Sequence, residues 1–314
     1  MSKTPIEVEA VTPGLPRWLK RSAAGLPPTS FFAVSAIFHY LGPSLAVLLF
    51  THIDVLGVAW LRIAAAAVVF ACWRRPWRLI KAMTWPQRRI LLGLGAVLAA
   101  MNTFFYLAVD RIPLATVGAI EFLGIIVLAA VGTRTKRNVA ALALAVAGVA
   151  ALTNARISGE PLGFVFAFAN CAGFILYVIL GHRIANAAAD QGAERQVASG
   201  IDQLGASMLV AAVVVTPIGI AEAAPALLHP VWLLWGIGVG LCSSVIPYVA
   251  DQLAMARLPR ATFALMLALL PVMATVIGVI VLGQVPGPRE VVGILLVVAG
   301  VALHQEQAAD GPPR

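Results

Sequence analysis

Long, nearly uncharged apolar runs are the feature that most limits how this chain can fold. They recur along residues 31–304, and their lengths approach the about 17–25 residues that a helix needs to cross a bilayer core of roughly 30 Å. Of the 314 residues, 61% are hydrophobic and only 11% are charged, whereas soluble domains average about 45–50% apolar and about 25% charged residues. A soluble domain of this size could not cover so much apolar surface, so the sequence predicts an all-α membrane protein.

The apolar runs divide into ten predicted transmembrane helices, of which the fifth and tenth are short. Their predicted ranges are 31–50, 55–73, 89–109, 113–133, 139–153, 161–181, 197–218, 231–253, 261–283 and 290–304.

Two internal repeats support the count of ten. "AVDRIPLAT" at 108–116 matches "AMARLPRAT" at 254–262, and "AVAGVAAL" at 145–152 matches "VVAGVALH" at 297–304. The short fifth and tenth segments are therefore predicted to be the same element used twice. This divides the chain into two five-helix repeats, at 31–153 and 161–304, with a disordered cytoplasmic tail at 1–30 and a second cytoplasmic tail at 305–314. Residues 1–30 lack the short apolar core of a signal peptide, so we expect the first helix to stay as an anchor.

The basic residues indicate how the repeats are oriented. Because five is odd, the second repeat must be inverted relative to the first. With the N-terminus in the cytoplasm, 18 Lys and Arg residues fall in cytoplasmic segments and 3 in external ones, a bias that fits both termini inside. The net charge of +8 therefore comes from basic residues that set the orientation of a protein in the inner membrane. No nucleic-acid partner is expected. An inverted repeat is a recurrent plan of secondary transporters, whose site lies near the midplane.

Glu121 lies in the middle of the run "RIPLATVGAIEFLGIIVLAAVG" at 111–132, with no neighbour in sequence that could neutralise it. Arg62 lies in the second segment, and both residues fall ~12 Å below the outer surface at about 1.5 Å of rise per residue. Ionisable residues inside a membrane are costly, so each is a functional hypothesis. Glu121 and Arg62 form either a structural ion pair between two helices or a site. In the second case, Glu121 binds a proton or a cationic group and Arg62 binds an anionic group of the substrate.

Further polar side chains fall in the predicted helices. Asn102 and Asn170 share the depth of Glu121, and Tyr248 shares a helix face with Asp251 just after Pro247. His39 precedes a predicted Gly-Pro break of the first helix at 42–43, and it is either a proton relay or a structural histidine. The predicted substrate- or proton-binding set is therefore Glu121, Arg62, Asn102, Asp251, Tyr248, Tyr106, Asn170 and His39.

Other chemistry finds no support in the sequence. The three cysteines form no CxxC, so neither a disulfide framework nor a metal site is expected. No nucleotide-binding loop, zinc-protease motif or nucleophile elbow is present, so we expect no cofactor, no ATP-driven pump within this chain and no enzyme.

Several segments together resemble the drug/metabolite transporter superfamily, EamA type, and in particular its threonine/homoserine exporter branch. The segments are "WLRIAAAAVVF", "RRPWRL", "MNTFFYLAVDRIPLATVGAIEFLG", "IPYVADQLAMARLP" and "RATFALMLALLPVMATVIGVIVLG", and the resemblance covers about residues 31–304. It implies ten helices in an inverted repeat, a central cavity, and export of a small amino acid in exchange for protons. It carries binding roles onto five positions, which are Arg62, Asn102, Glu121, Tyr248 and Asp251.

The chain departs from that branch at four places. Leu270-Pro271 stands where the branch usually has Glu-Pro, Gln284 replaces the acid of an LGE motif, and Ile125 replaces a common proline. "FHYLG" replaces the polar stretch of the first helix. The loss of the ninth-helix acid raises the importance of Glu121 and Asp251 for proton coupling.

Three alternatives stay open at this point. The cargo could be another small molecule, such as a drug, a nucleoside or a weak acid. The chain could be a membrane-embedded enzyme, but the sequence offers no cluster of catalytic groups. It could be a non-transporting membrane protein, but the sequence offers no substantial soluble domain. The expected partners are a small-molecule substrate, protons and the lipid bilayer, and the chain is expected to act as a monomer or homodimer.

Overall fold

A computed structural model of the chain describes residues 27–132, 135–154, 160–186, 193–257 and 269–303. Helices form nearly all of this part, and it contains no strand. The first half holds α1 (Pro28–Leu49), α2 (Val55–Arg74), α3 (Trp77–Ala82), α4 (Trp85–Val109), α5 (Leu114–Gly132) and α6 (Lys136–Asn154). The predicted tail at 1–30 lies outside the described residues except for its last four, and α1 begins within those four.

The second half begins with α7 (Pro161–Asn186), α8 (Ala193–Gly219) and the short α9 (Ala224–Leu228). It continues through α10 (Pro230–Gly240), a π-helical stretch (Leu241–Val245) and α11 (Ile246–Arg257), and ends with α12 (Leu270–Leu282) and α13 (Pro288–Leu303). The predicted segment 261–283 is described only from residue 269 onward, and the predicted tail at 305–314 lies outside the described residues.

Six of these helices are long and apolar enough to cross a membrane. They are Thr29–Leu49, Val55–Arg74, Trp85–Val109, Pro161–Gly181, Gly200–Gly219 and Pro230–Asp251, and Leu114–Gly124 and Leu270–Leu282 are shorter apolar helices. Helices satisfy their own backbone hydrogen bonds, as a chain must do in lipid, where no water is available. The prediction of an all-helical protein with membrane-spanning helices is therefore confirmed, whereas the count of ten spans stays a prediction.

The helices of the two halves are interleaved in the bundle. The most extensive contacts join α6 to α13, α4 to α7, α2 to α8, α4 to α8 and α1 to α11, and α5 packs against both α7 and α12. A short ion pair joins the end of α2 to the interior of α8, with Arg74 Nε 2.6 Å from Asp202 Oδ1. The interior of the bundle is therefore built from both halves of the chain.

Glycines allow α6 and α13 to approach at backbone distance. A Cβ added at Gly148 would lie 2.6 Å from the Gly293 carbonyl oxygen, and one added at Gly300 would lie 2.8 Å from the Ala141 carbonyl oxygen. Gly148 and Gly300 occupy matching places in the second sequence repeat. Early residues of α6 meet late residues of α13, so the two helices run antiparallel and make equivalent contacts from both sides.

Gly148→Ala is expected to destabilise the protein because the added methyl group meets backbone that cannot rotate away. The expected loss is about 1–3 kcal/mol, the usual cost of overpacking. Gly238→Ala is the matched control, since a Cβ at Gly238 meets nothing within 4 Å. Thermal unfolding in detergent, followed by tryptophan fluorescence, measures both. Equal Tm values for the two variants would contradict this account of the interface.

The π-helical stretch follows from packing and from Pro247. A Cβ at Gly42 would lie 2.6 Å from the Ser243 backbone nitrogen, and one at Gly240 would lie 2.8 Å from the Arg62 carbonyl oxygen. The stretch is therefore pressed against α1 and α2. Pro247 has no N–H, so the Ser243 carbonyl four residues earlier loses its α-helical donor. Such π-helical turns occur frequently at functional sites.

The predicted break at Gly42 and Pro43 is wrong. Helix α1 runs without interruption from Pro28 to Leu49, with Pro43 inside it. The proline removes only the hydrogen bond that its N–H would have made, and the neighbouring glycine serves the close approach to Ser243 instead of a turn.

Candidate functional site

Arg62 of α2 lies at the centre of a buried polar cluster. Its side chain is buried, its Nε donates to Ser244 Oγ at 3.0 Å, and its Nη2 donates to the Ser243 carbonyl oxygen at 3.2 Å. The Ser243 carbonyl is available because Pro247 supplies no N–H in the next turn. The π-helical stretch thus fixes the orientation of the guanidinium and uses two of its five N–H donors.

Tyr106 of α4 covers the same guanidinium. The Arg62 guanidinium carbon lies 5.2 Å from the centre of the Tyr106 ring, within the range of a cation–π contact. The Tyr106 hydroxyl lies 3.5 Å from Ser243 Oγ. Arg62, a residue of α2, is therefore held by α4 and the π-helical stretch, and Tyr106 is fully buried inside the bundle.

Glu121 of α5 is buried in the same region but is not paired. It is 8% exposed, and its Oε2 makes no hydrogen bond. Arg74 pairs with Asp202 and Arg111 with Asp110, whereas no ion pair joins Arg62 to Glu121. The Arg62 and Glu121 charges are nevertheless close enough to influence each other. The cluster therefore contains two residues of opposite charge type that are not joined in an ion pair.

Two further side chains next to Glu121 are buried without partners. Asn170 of α7 is a neighbour of the Glu121 carboxylate, yet neither its Nδ2 nor its Oδ1 has good hydrogen-bond geometry to any group. Tyr40 of α1 is fully buried, and its hydroxyl also lacks a partner. Buried polar groups are normally hydrogen-bonded. So many unpaired atoms around one carboxylate mark a place where a polar ligand can bind.

The remaining predicted residues lie around this cluster at different places. The His39 ring is centred 6.5 Å from the Tyr248 ring and 5.3 Å from the Tyr40 ring. Tyr248 lies within electrostatic reach of Arg62, Glu121 and Asp251. These residues extend the cluster along α1 and α11.

Two predicted residues are less central. Asp251 lies three residues beyond Tyr248 and beside Ser35 of α1. Asn102 is buried, and its Nδ2 donates at 2.7 Å to the Leu98 carbonyl of its own helix. Asp251 therefore marks one end of the cluster, and part of the hydrogen-bonding capacity of Asn102 is used within α4.

Sequence reasoning missed Tyr40, Ser243 and Ser244. Tyr40 follows His39 directly, and a tyrosine in an apolar run looks like an ordinary core residue. The two serines had a usable signal, because Ser243 lies four residues before Pro247 and its carbonyl had to find another donor. Within the described ranges, no group of three or more His, Cys, Asp or Glu side chains could hold a metal ion.

An apolar helical bundle with opposite charges and unpaired polar groups at its interior has the architecture of a multi-pass membrane protein that handles a small polar solute. Residues 192–304 match the model of the EamA-like transporter family. The chain is 31% identical over 261 residues to the threonine/homoserine exporter RhtA of Escherichia coli (strain K12), covering 82% of this chain and 84% of that protein. The same values hold for RhtA of Salmonella typhimurium (strain LT2).

The chain therefore belongs to the EamA-like transporter family. Its fold is also similar to that of another protein of known crystal structure, with a TM-score of 0.53 and 20% sequence identity. That likeness covers 88% of this chain and 96% of the other and concerns the fold alone. The resemblance to EamA-type transporters and to the threonine/homoserine exporters is confirmed, and the chain is a membrane exporter by this kinship.

Proposed function

We propose that this protein is a secondary active transporter of the inner membrane that exports a small amino acid, such as threonine or homoserine, by proton antiport. The observation that carries the proposal is the arrangement of Arg62 and Glu121, two buried opposite charges that share one polar cluster without forming an ion pair. In this proposal Arg62 binds the carboxylate of the amino acid, and Glu121 binds its ammonium group or a proton.

The energetics of burial support this assignment. An unpaired charge inside a membrane protein is costly, and such residues usually serve a ligand or an ion. A zwitterionic amino acid carries both countercharges a short distance apart, so one molecule would neutralise both residues. The two hydrogen bonds that Arg62 donates to the Ser243 carbonyl and the Ser244 hydroxyl orient the guanidinium in advance, which reduces the entropy lost on binding.

The binding surface of Glu121 is suited to an ammonium group. An ammonium has three N–H donors, and Glu121 Oε2 and Asn170 Oδ1 are two buried acceptors without partners in the structure. When no substrate is bound, a proton on Glu121 would remove the unpaired charge instead. Competition between a proton and an ammonium group for one carboxylate is the simplest basis for antiport, with Asp251 as a second candidate proton site.

We further propose that the chain consists of two inverted repeats, 31–153 and 161–304, with both termini in the cytoplasm. The antiparallel contact between α6 and α13, made by matching glycines, supports a two-fold relation. The contacts of α4 with α7 and of α1 with α11 are counterparts under the same relation, as are those of α5 with α7 and of α1 with α12. Rocking of the two halves about the cluster would give alternating access.

The test is transport by purified protein in liposomes loaded with labelled threonine or homoserine. An inward proton gradient is expected to accelerate efflux of the label, and a proton ionophore is expected to remove that acceleration. Efflux that ignores the gradient would contradict antiport. If neither amino acid is exported but a drug, a nucleoside or a weak acid is, the proposed substrate is wrong and the protein is still an exporter.

A further inference from the structure

The phenol hydroxyl of Tyr40 is a buried polar group for which the described protein supplies no partner. Its side chain is 0% exposed, and its oxygen makes no hydrogen bond. A buried hydroxyl without a partner is unfavourable. Phenylalanine would fill nearly the same space without that cost. Among the described residues, the hydroxyl is therefore free to bind a ligand group.

The position of this hydroxyl connects it to the polar cluster. A Cβ at Gly118 would lie 3.1 Å from the Tyr40 oxygen and 3.3 Å from the Ala274 Cβ, so the hydroxyl lies in the seam between α5 and α12. Gly118 is three residues before Glu121, which places both on one face of α5. The Tyr40 oxygen and the Glu121 carboxylate are close enough to interact electrostatically.

The surroundings of Tyr40 are otherwise apolar on the side of α12. Leu270 and Ala274 are buried there and occupy one face of the helix, since they are four residues apart. Because both residues are apolar, neither can form a hydrogen bond with the Tyr40 hydroxyl through its side chain. A ligand group that reaches this seam would find the unpaired Tyr40 oxygen beside buried apolar side chains of α12.

We propose that Tyr40 is a specificity-determining residue whose hydroxyl forms a hydrogen bond with the side-chain hydroxyl of the transported amino acid. This inference rests on the proposed amino-acid export and deepens it. With the ammonium group at Glu121, a side chain of two or three atoms would extend into the seam. A site built to bond a substrate hydroxyl disfavours an analogue that lacks it, because the site's own polar group then stays buried and unpaired.

The test compares three substrates in liposomes for the wild type and Tyr40→Phe. Threonine and homoserine each carry one hydroxyl, and 2-aminobutyrate has the same carbon skeleton without it. Tyr40→Phe is expected to lower kcat/KM for threonine, homoserine or both by about three- to tenfold, as the loss of one neutral hydrogen bond does. Transport of 2-aminobutyrate should be unchanged or faster.

Tyr177→Phe is the control for loss of a phenol hydroxyl elsewhere. Tyr177 packs against the main core and against the small apolar cluster around Leu91 and Leu94, and loss of its hydroxyl should leave the ratio between substrates unchanged. An unchanged ratio in Tyr40→Phe, with amino-acid transport intact, would overturn the role of Tyr40 and leave the proposed function standing. A wild-type protein that transports none of the three would overturn both.

Discussion

Glu121→Gln is expected to abolish proton-driven efflux while the protein stays folded in the membrane. The amide keeps the shape of the carboxyl group but can neither take up a proton at physiological pH nor attract an ammonium ion. Loss of one member of a buried charge pair with a ligand costs roughly 2–5 kcal/mol. Efflux under the gradient should therefore fall at least about thirtyfold. Labelled threonine or homoserine in liposomes, with an inward proton gradient, measures the change.

Exchange without a gradient separates the two possible roles of Glu121. If the residue carries only the coupling proton, exchange of labelled for unlabelled substrate persists in Glu121→Gln. If it binds the ammonium group, exchange is lost together with efflux. Glu222→Gln removes the same charge at an exposed position between α8 and α9 and should behave like the wild type. Normal gradient-driven efflux in Glu121→Gln would exclude both roles.

The sequence predicted the helical class and most helix positions because length and hydropathy are local properties. The predicted start at 89, for example, falls four residues inside α4, which begins at Trp85 after a capping box at Thr84. The six-residue α3 and the five-residue α9 were missed, since elements of that length carry no helical periodicity that a sequence pattern can reveal.

Glu121 and Arg62 could be predicted as site candidates because a charge in an apolar run stands out by itself. Whether they touch depends on helix rotation and on competing partners, which no single segment encodes. The competing partners of Arg62 are the Ser243 carbonyl and the Ser244 hydroxyl, and they reach it only because α10 and the π-helical stretch pack against α2. Tyr40 could not be recognised for a similar reason, since an unpaired hydroxyl is a property of its surroundings.

Arg62→Lys is expected to raise the KM for the transported amino acid by about tenfold or more. Lysine keeps the positive charge but loses the planar fork that can bind a carboxylate with two parallel hydrogen bonds. If it held the Ser243 carbonyl and the Ser244 hydroxyl, its ammonium would have only one N–H donor left for a ligand, whereas arginine keeps three. The measurement is the concentration dependence of uptake or exchange in liposomes. Arg111→Lys is the control, since Arg111 pairs with Asp110 at a partly exposed position where such pairs contribute little.

A structural role for Arg62 makes a different prediction from a ligand-binding role. If Arg62 only braces the π-helical stretch, Arg62→Lys lowers Tm but leaves the KM unchanged. If Arg62 binds substrate, the rise of Tm that the amino acid causes in the wild type shrinks in the variant, because stabilisation by a ligand depends on its affinity. A lower Tm with full substrate affinity would contradict the binding role.

The double variant Arg62→Gln with Glu121→Gln tests the relation between the two charges directly. In a mutually neutralising pair, each single variant leaves one buried charge unpaired, and the double variant relieves that cost. Transport and stability would then recover together. In a site for a zwitterion, the double variant has lost both contacts to the ligand, and neither substitution relieves the effect of the other. Loss of exchange with no recovery of Tm over the single variants is the expected result, because the two side chains share one cluster but do not form an ion pair with each other.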